Sequence, residues 1–236
     1  MKICASYYSE IGGREKNEDS AAILENSNTV LGIVADGLGG YSGGEIASNI
    51  TVKTVSGNLI GAPVGVVSFR KAIEQANQEI WETKKQTGMM STVGAVWLDD
   101  YAALAANVGD TRIYQFRNGN IIYQSRDHSV AQMALRAGDI RPGELRSCKE
   151  RHKLTRALGA QNEVFVDIAH LELQAGDAIL VCSDGFWEKI QETEMVYDLA
   201  GAATASDWLA HMRTRLESRG AAIGDNHSAV AILIKE

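Results

Sequence analysis

The grouping of short β-type runs is the feature that most constrains how this chain can fold. These runs come in clusters separated by pairs of helix-like segments, without the strict alternation of strand and helix that builds parallel sheets. The predicted strands cover 2–9, 20–25, 29–35, 91–98, 101–108, 111–117, 120–125, 163–173, 177–183 and the closing run 227–235. This order favours an α+β layered architecture over a doubly wound parallel sheet.

The predicted helices lie between these groups of strands. The first begins near Ser42, and the second, at 68–86, has apolar residues at helical spacing. Two more are predicted around 191–200 and 205–218. The polar segment 128–155 is also predicted to be helical.

Turn signals and apolar runs indicate how the strands pair. The pairs DD at 99–100, GD at 109–110 and NG at 118–119 separate the four central runs and are typical of hairpins, so this part should be antiparallel. The runs 102–106 and 230–234 are apolar at every position, which is typical of strands covered on both faces. We therefore expect two packed sheets with helices outside.

Composition and charge restrict the class of protein. A length of 236 residues suits one domain, 1–236, and the net charge of −7 argues against a nucleic-acid-binding protein. Cys4, Cys148 and Cys182 are far apart and form no CxxC pair, which fits a reducing compartment. The first residues lack the apolar core of a signal peptide, and no run reaches the length of a spanning helix. We expect a cytoplasmic protein with neither nucleic-acid nor membrane partners.

The stretch VADGLGG, residues 34–40, ends an apolar run in one aspartate and several glycines. Asp36 could start a hairpin turn, belong to a phosphate loop or act as a ligand. The hairpin is disfavoured because a helix-like segment follows instead of a second strand. The phosphate loop is disfavoured because Ser42 occupies the last glycine position of GxGxxG and no GK[ST] occurs. The glycines instead indicate close approach of the backbone to a ligand.

Acidic residues recur where predicted strands begin or end. They are Glu18, Asp19, Asp36, Asp110, Asp184 and Asp225. Strand ends on one edge of stacked sheets converge, so these residues can form one cluster although they are distant in sequence. Close carboxylates raise each other's pKa unless cations compensate them. Oxygen ligands without histidine or cysteine favour Mg²⁺ or Mn²⁺ over zinc.

Seven short motifs occur in an order that resembles a known family. They are REKNEDS, VADGLGG, MSTVGAV, ANVGDTRIY, LTRALG, CSDGFWE and GDN. The chain resembles the PPM (protein phosphatase 2C-like) metal-dependent Ser/Thr phosphatases, in their compact bacterial form. The resemblance implies a four-layer α-β-β-α sandwich, in which helix pairs flank two antiparallel sheets and two metals lie in a cleft at one edge.

The resemblance also implies a role for each matched residue. Asp36 bridges both metals and the Gly37 carbonyl also ligates, while Glu18 serves one metal and Asp184 and Asp225 serve the other. Further roles are implied for Asp110, which with Asp184 matches a third and weaker metal site, for Asp19, which orients the metal-bound water, and for Arg14, which grips the substrate phosphate. The implied cofactors are two core Mn²⁺ or Mg²⁺ ions and a third, weaker one.

The implied activity is hydrolysis of phosphoserine and phosphothreonine on proteins by a metal-activated water, reversing a bacterial Ser/Thr kinase. The expected partners of this monomer are that kinase and its phosphorylated substrates. One alternative is a catalytically inactive phosphoprotein-binding scaffold, which the intact metal positions and Arg14 disfavour. Another is a different two-metal hydrolase such as a nuclease, which the net charge of −7 and the absence of histidine ligands disfavour.

Two positions depart from the pattern of the family. Leu38 stands where eukaryotic members have a histidine that can protonate the leaving alkoxide, so the leaving-group acid is unassigned. His227 is the nearest candidate by sequence, although a histidine opening a strand is more often structural. Met90 replaces the glycine that commonly precedes the [ST]T pair.

A basic segment falls where the family carries a mobile flap beside its cleft. Residues 136–156 contain seven Lys or Arg residues against three Asp or Glu residues, within a flap predicted at about 128–155. One interpretation is a solvated helical face. The other is that Arg146, Lys149 and Arg151 bind the acidic flanks of a phosphopeptide.

Overall fold

The computed structural model describes residues 2–26, 29–39, 43–83, 88–100 and 102–235. The strands are β1 (Lys2–Glu10), β2 (Asp19–Glu25), β3 (Val30–Leu38), β4 (Met90–Ser91), β5 (Val93–Leu98), β6 (Ala103–Val108), β7 (Arg112–Arg117), β8 (Asn120–Gln124), β9 (Asp167–Leu171), β10 (Ala178–Cys182) and β11 (His227–Lys235). The helices are α1 (Gly43–Leu59), α2 (Val66–Thr83), α3 (Val130–Ala137), α4 (Asp184–Trp187), α5 (Glu192–Ala200) and α6 (Ala205–Ser218). Two short 3₁₀ turns cover Pro142–Ser147 and Ala221–Ile223.

Two antiparallel sheets form the centre of the molecule. One has the strand order β1-β11-β10-β7-β8, and the other has the order β2-β3-β5-β6-β9, with β4 paired to β3. Apolar side chains such as Val34, Val181 and Val230 fill the space between the sheets. The α+β architecture with two packed sheets is confirmed.

Helices cover the outer face of each sheet. A second core joins α1 and α2 to the β2–β9 sheet and contains Phe69 and Trp97. A third core joins α4, α5 and α6 to the other sheet and contains Trp187 and Trp208. Strands β5, β6 and β10 are buried along their whole length because each has a neighbouring layer on both faces. This burial explains their uninterrupted apolar sequences.

One of the three predicted hairpins is wrong. The turns at 99–100 and 118–119 do join adjacent antiparallel strands, β5 with β6 and β7 with β8. The GD pair at 109–110, however, connects β6 of one sheet to β7 of the other. A turn that crosses between sheets lies at the edge where the ends of both sheets meet, and this crossing places Asp110 there.

The helix prediction for 128–155 was too broad. Only α3 and the 3₁₀ turn at 142–147 are helical, because Gly138 ends α3 in a left-handed conformation and Pro142 starts the separate turn. The strand predicted at 163–173 shortens to β9, with Val164 and Val166 packed into the core beneath α2. The predicted helix start at Ser42, the helix end at 84–86 and the strand start at residue 101 lie outside the described residues. In the described part of the chain no helix has the length and apolarity needed to cross a membrane.

Candidate metal centre

A cavity of about 780 Å³ opens at the edge where strand ends from both sheets meet. The side chains and backbone that line it come from the loop before β2, the end of β3, the β6–β7 crossover, the start of α4, the residues before β11 and the segment around residue 152. Seven residues predicted from the sequence line this cavity: Arg14, Glu18, Asp36, Gly37, Asp110, Asp184 and Asp225. The tertiary structure therefore brings together acids that are up to 207 positions apart in the sequence.

Strands β2 and β3 hold three of the acids next to each other. Asp19 lies opposite Asp36 in the antiparallel register of these strands. The Gly37 N–H donates to the Glu18 carbonyl oxygen at 3.1 Å. The register therefore carries Glu18 to the cavity wall beside Asp36 and Gly37.

A buried pair of threonines holds the backbone of Asp36. The Thr92 hydroxyl accepts the Asp36 N–H at 3.0 Å, and the Thr92 N–H donates to the Asp36 carbonyl oxygen at 2.8 Å. The hydroxyls of Thr92 and Thr111 lie 2.6 Å apart, and Thr111 directly follows Asp110 in the chain. One buried polar contact thus links the segments that carry Asp36 and Asp110.

Two glycines allow the start of α1 to approach the acids closely. A Cβ atom on Gly44 would lie 2.6 Å from Glu18 Oε1, and one on Gly37 would lie 2.0 Å from the Gly44 carbonyl oxygen. Any larger residue at either position would displace the Glu18 carboxylate or the end of β3. Gly37 and Gly44 therefore allow close approach of the α1 backbone to the acids, while residues 40–42 lie outside the described part of the chain.

Asn226 ties the loop before β2 to the start of β11. Its side-chain oxygen accepts the Glu18 N–H at 2.8 Å, and its amide nitrogen donates to the carbonyl oxygens of Ile11 and Lys16 at 2.7 and 2.9 Å. These bonds hold the segment that carries Arg14 and Glu18 against the residue next to Asp225. Asn226 belongs to the GDN motif, but no role was predicted for it.

The predicted phosphate-binding arginine contacts a predicted metal ligand. Arg14 donates to both carboxylate oxygens of Asp225, from Nε at 2.9 Å and from Nη2 at 2.7 Å. Both side chains are partly exposed, at 60% for Arg14 and 42% for Asp225. In this structure the Nε and Nη2 edge of the Arg14 guanidinium is therefore occupied by Asp225.

Burial raises the pKa values of several acids of this site. Desolvation, followed by the charge of Asp184, raises the pKa of Asp36 and of Asp110 well above its ordinary value. Desolvation raises the pKa of Glu18 as well. These oxygen donors converge without cysteine and with negative charge in excess. Such a set fits hard divalent cations, which would remove the repulsion that raises these pKa values.

Asp19 lies behind the cavity wall and does not line it. Burial raises its pKa to about 7, against the lowering effect of the Ser183 hydroxyl, which donates to Asp19 Oδ2 at 2.7 Å. The Ser228 N–H in turn donates to the Ser183 oxygen at 3.0 Å. Two strands of the opposite sheet therefore fix the orientation of the Asp19 carboxylate.

The basic residues predicted to bind substrate lie beside the cavity without lining it. Arg146 donates to Glu192 at 2.6 Å, and Arg151 donates to Glu188 at 2.6 Å. Lys149 lies between these two residues in the same segment. Arg146 and Arg151 are thus paired with acids in and just before α5 rather than directed into the cavity.

The histidine that the sequence suggested for the cavity does not line it, and another histidine does. His227 is buried, packs edge-on against Tyr8 and does not line the cavity. Its pKa is lowered by desolvation. His152 does line the cavity, and the carboxylate of Asp184, 3.8 Å from its Nδ1, raises its pKa. No signal in the sequence distinguished His152 from the basic run that surrounds it.

Comparison with known proteins shows the family to which the chain belongs. The family model described as protein phosphatase 2C matches residues 8–226 of the chain. The chain belongs to the protein phosphatase 2C family. A serine/threonine phosphatase, stp, from Listeria monocytogenes is 32% identical over 234 residues, which cover 94% of this chain and 92% of the relative.

Two solved structures of phosphatases extend the comparison to three dimensions. The S. agalactiae serine/threonine phosphatase superimposes with a TM-score of 0.89 at 27% identity, covering 99% of this chain and 100% of the other. The PPM Ser-Thr phosphatase MsPP from Mycobacterium smegmatis, in complex with cacodylate, has a TM-score of 0.84 at 30% identity, covering 98% and 97%. These likenesses confirm the PPM phosphatase fold for this member of the protein phosphatase 2C family.

Proposed function

We infer that this chain is a metal-dependent protein serine/threonine phosphatase. The observation that carries the inference is the convergence of the buried acids and Arg14 on one cavity in a chain of the protein phosphatase 2C family. Its similarity to the Listeria serine/threonine phosphatase covers nearly the whole length of both chains. The cavity retains every acid predicted from the sequence to bind metal, so no observation favours an inactive scaffold.

The ligands proposed for two core cations are the carboxylates of Glu18, Asp36, Asp184 and Asp225 and the carbonyl of Gly37. Asp110 and Asp184 are proposed to hold a third and weaker one. When bound, these cations supply charge neutralisation at the phosphate and lower the pKa of water towards neutrality. The all-oxygen donor set favours Mn²⁺ or Mg²⁺ for the core pair.

The residues of the chain itself bind and orient the phosphate group. Arg14 presents a planar fork of N–H donors that can bind two phosphate oxygens once it releases Asp225. Asp19 is proposed to orient the attacking water from behind the wall, where the Ser183 hydroxyl fixes its carboxylate. Leu38 lines the cavity but has no proton to donate to a leaving alkoxide. The MsPP complex with cacodylate, a tetrahedral oxyanion, supports phosphate binding in a fold of this kind.

We propose that the chain acts as one monomeric domain in the cytoplasm, on proteins phosphorylated by a bacterial Ser/Thr kinase. Its isolated cysteines and its relatives in bacteria support this setting. Arg146, Lys149 and Arg151 are proposed to read acidic flanks of the substrate, because their segment also carries His152 to the cavity wall.

Phosphate release from a phosphothreonine peptide tests the proposed function. Purified protein with Mn²⁺ should release phosphate, a chelator should stop the release, and added Mn²⁺ should restore it. Arg14→Ala should raise KM by about tenfold or more, since a charged bidentate contact is lost. The exposed Arg136→Ala is the matched control and should keep the KM of the wild type. If no peptide releases phosphate with any divalent metal, the scaffold alternative replaces the phosphatase.

A further inference from the structure

One cluster of possible metal ligands lies at the mouth of the cavity and adds two residues to the ligand set described above. It consists of His152, Asp184 and Glu188, whose ligand atoms all lie within 4.8 Å of one another. His152 Nδ1 lies 3.8 Å from Asp184 Oδ2 and 3.8 Å from Glu188 Oε1. Two carboxylates and an imidazole from two separate segments of the chain thus lie close together.

The distances suit a shared cation. Ligand atoms that are each about 2.1 Å from one ion lie roughly 3 to 4 Å from each other, depending on the angle between them. Asp184 and Glu188 are held in place because the Glu188 N–H donates to the Asp184 carbonyl oxygen at 2.9 Å, in one turn of helix. His152 is about half exposed, so its ring can adjust and a cation can enter from solvent.

A nearby arginine competes for one of these ligands. Arg151 donates to Glu188 from Nε at 2.6 Å and from Nη2 at 3.3 Å. An ionised carboxylate accepts about four hydrogen bonds or metal contacts, so Glu188 keeps capacity for a cation on the side that faces His152. The positive charge of Arg151 nevertheless weakens cation binding, which predicts a site of lower affinity than the core pair.

We propose that His152, Asp184 and Glu188 form a further divalent-cation site, with a preference for Mn²⁺ over Mg²⁺. The preference follows from the imidazole, because nitrogen ligands suit transition-metal ions, whereas Mg²⁺ strongly favours oxygen. A cation here connects the segment around residue 152 to α4 and so holds that segment beside the cavity. The inference rests on the proposed function, because Asp184 is shared with the core metal ligands.

Nitrogen ligation gives a direct test that does not depend on activity. In the Mn²⁺-loaded protein, electron spin echo spectroscopy should detect ¹⁴N coupling from an imidazole, and His152→Ala should remove it. Calorimetry should show that the Kd of the Mn²⁺ ion bound at His152, Asp184 and Glu188 rises at least tenfold in His152→Ala and in Glu188→Gln. Mg²⁺ binding should change less than twofold in His152→Ala. The control His170→Ala removes an exposed histidine on the edge strand β9 and should alter neither measurement.

A variant that removes the competitor sharpens the test. Arg151→Met leaves all three ligands in place. It should lower the Kd of this site for Mn²⁺ by about threefold or more, because a competing positive charge has been removed. A ¹⁴N signal that is absent from the wild type, or equally strong in His152→Ala, overturns the site. If that happens while the protein binds two Mn²⁺ ions and releases phosphate, only this inference fails. If the protein binds no Mn²⁺ and releases no phosphate, the proposed function fails as well.

Discussion

Two groups of buried aspartates in this molecule differ in how their charge is compensated. Asp127 accepts two hydrogen bonds from Arg112, at 2.9 and 2.7 Å, and Asp177 accepts two from Arg117, at 2.7 and 2.8 Å. Burial raises the pKa of Asp177, but its hydrogen bonds outweigh burial and lower the pKa overall. In the cavity, burial and neighbouring acids instead raise the pKa values of Asp36 and Asp110.

The difference shows which buried charges the protein balances with its own side chains. The two groups are neighbours, because Arg112 stacks on Trp187 at 3.5 Å and the indole N–H of Trp187 donates to the Asp110 carbonyl oxygen at 2.9 Å. Arg112 therefore lies close to Asp110 but pairs with Asp127. Among the cavity acids, Asp225 pairs with Arg14, whereas Asp36 and Asp110 are buried close to other carboxylates.

The largest expected effect comes from neutralising an acid of the uncompensated group. Asp36→Asn should lower Mn²⁺-dependent phosphate release by roughly a thousandfold or more, because a neutral amide cannot balance the cations that activate water. In the presence of chelator the same variant should melt at a higher temperature than the wild type at pH 7.5, because a buried acid without a partner has been removed. Phosphate release and thermal melting check the two outcomes.

The control for this variant is Asp139→Asn, which neutralises an exposed acid. It should leave both measurements unchanged. Near-normal turnover of Asp36→Asn at saturating Mn²⁺ would show that Asp36 is not a core metal ligand.

The next largest effect comes from removing the internal cation of the compensated group. Arg112→Met leaves Asp127 buried without a partner and should lower the free energy of unfolding by about 3 to 5 kcal/mol. Mn²⁺ should not restore this loss, because Asp127 does not line the cavity. Urea unfolding with and without Mn²⁺ measures both points.

The double variant Arg112→Met/Asp127→Asn provides the control for charge. It should recover part of the lost stability, since no unpaired charge is then buried. Rescue of the single variant by Mn²⁺ would contradict the division of the acids into two groups.

The smallest expected effect is an opposite response of the two groups to pH in chelator-treated protein. Asp19 ionises near pH 4 when unfolded but near pH 7 when folded, so its contribution to stability is lost as the pH rises through about 7. Asp177 has a lowered pKa in the folded protein, so its contribution is lost only when the pH falls below about 4. The melting temperature should therefore fall by several degrees from pH 5.5 to pH 7.5.

Mn²⁺ provides the control for this pH response. Because cations favour the ionised acids of the cavity, saturating Mn²⁺ should remove the fall in melting temperature between these two pH values. A melting temperature that rises with pH in chelator would show that the cavity acids are compensated within the protein.

Several parts of the fold could be predicted from local sequence. The uninterrupted apolar run of β11 predicted a strand covered on both faces, and Asn118–Gly119 predicted the β7–β8 hairpin, where both residues adopt positive φ. The GD pair at 109–110 was wrongly predicted to form a hairpin, because a crossover between sheets and a hairpin use the same turn residues. Local sequence specifies that the chain turns there, but not which sheet the next strand joins.

The sequence by itself determined the ends of strands that carry acids, because an apolar run followed by Asp and Gly is a local property of the chain. Only the tertiary structure decided which of the buried acids have partners within the protein. Arg14 meets Asp225 across 211 positions, and His152 reaches Asp184 from a segment with no distinguishing pattern. The physical reason is that the energy of a buried charge depends on desolvation and on atoms within a few ångströms. Packing brings those atoms from distant parts of the chain.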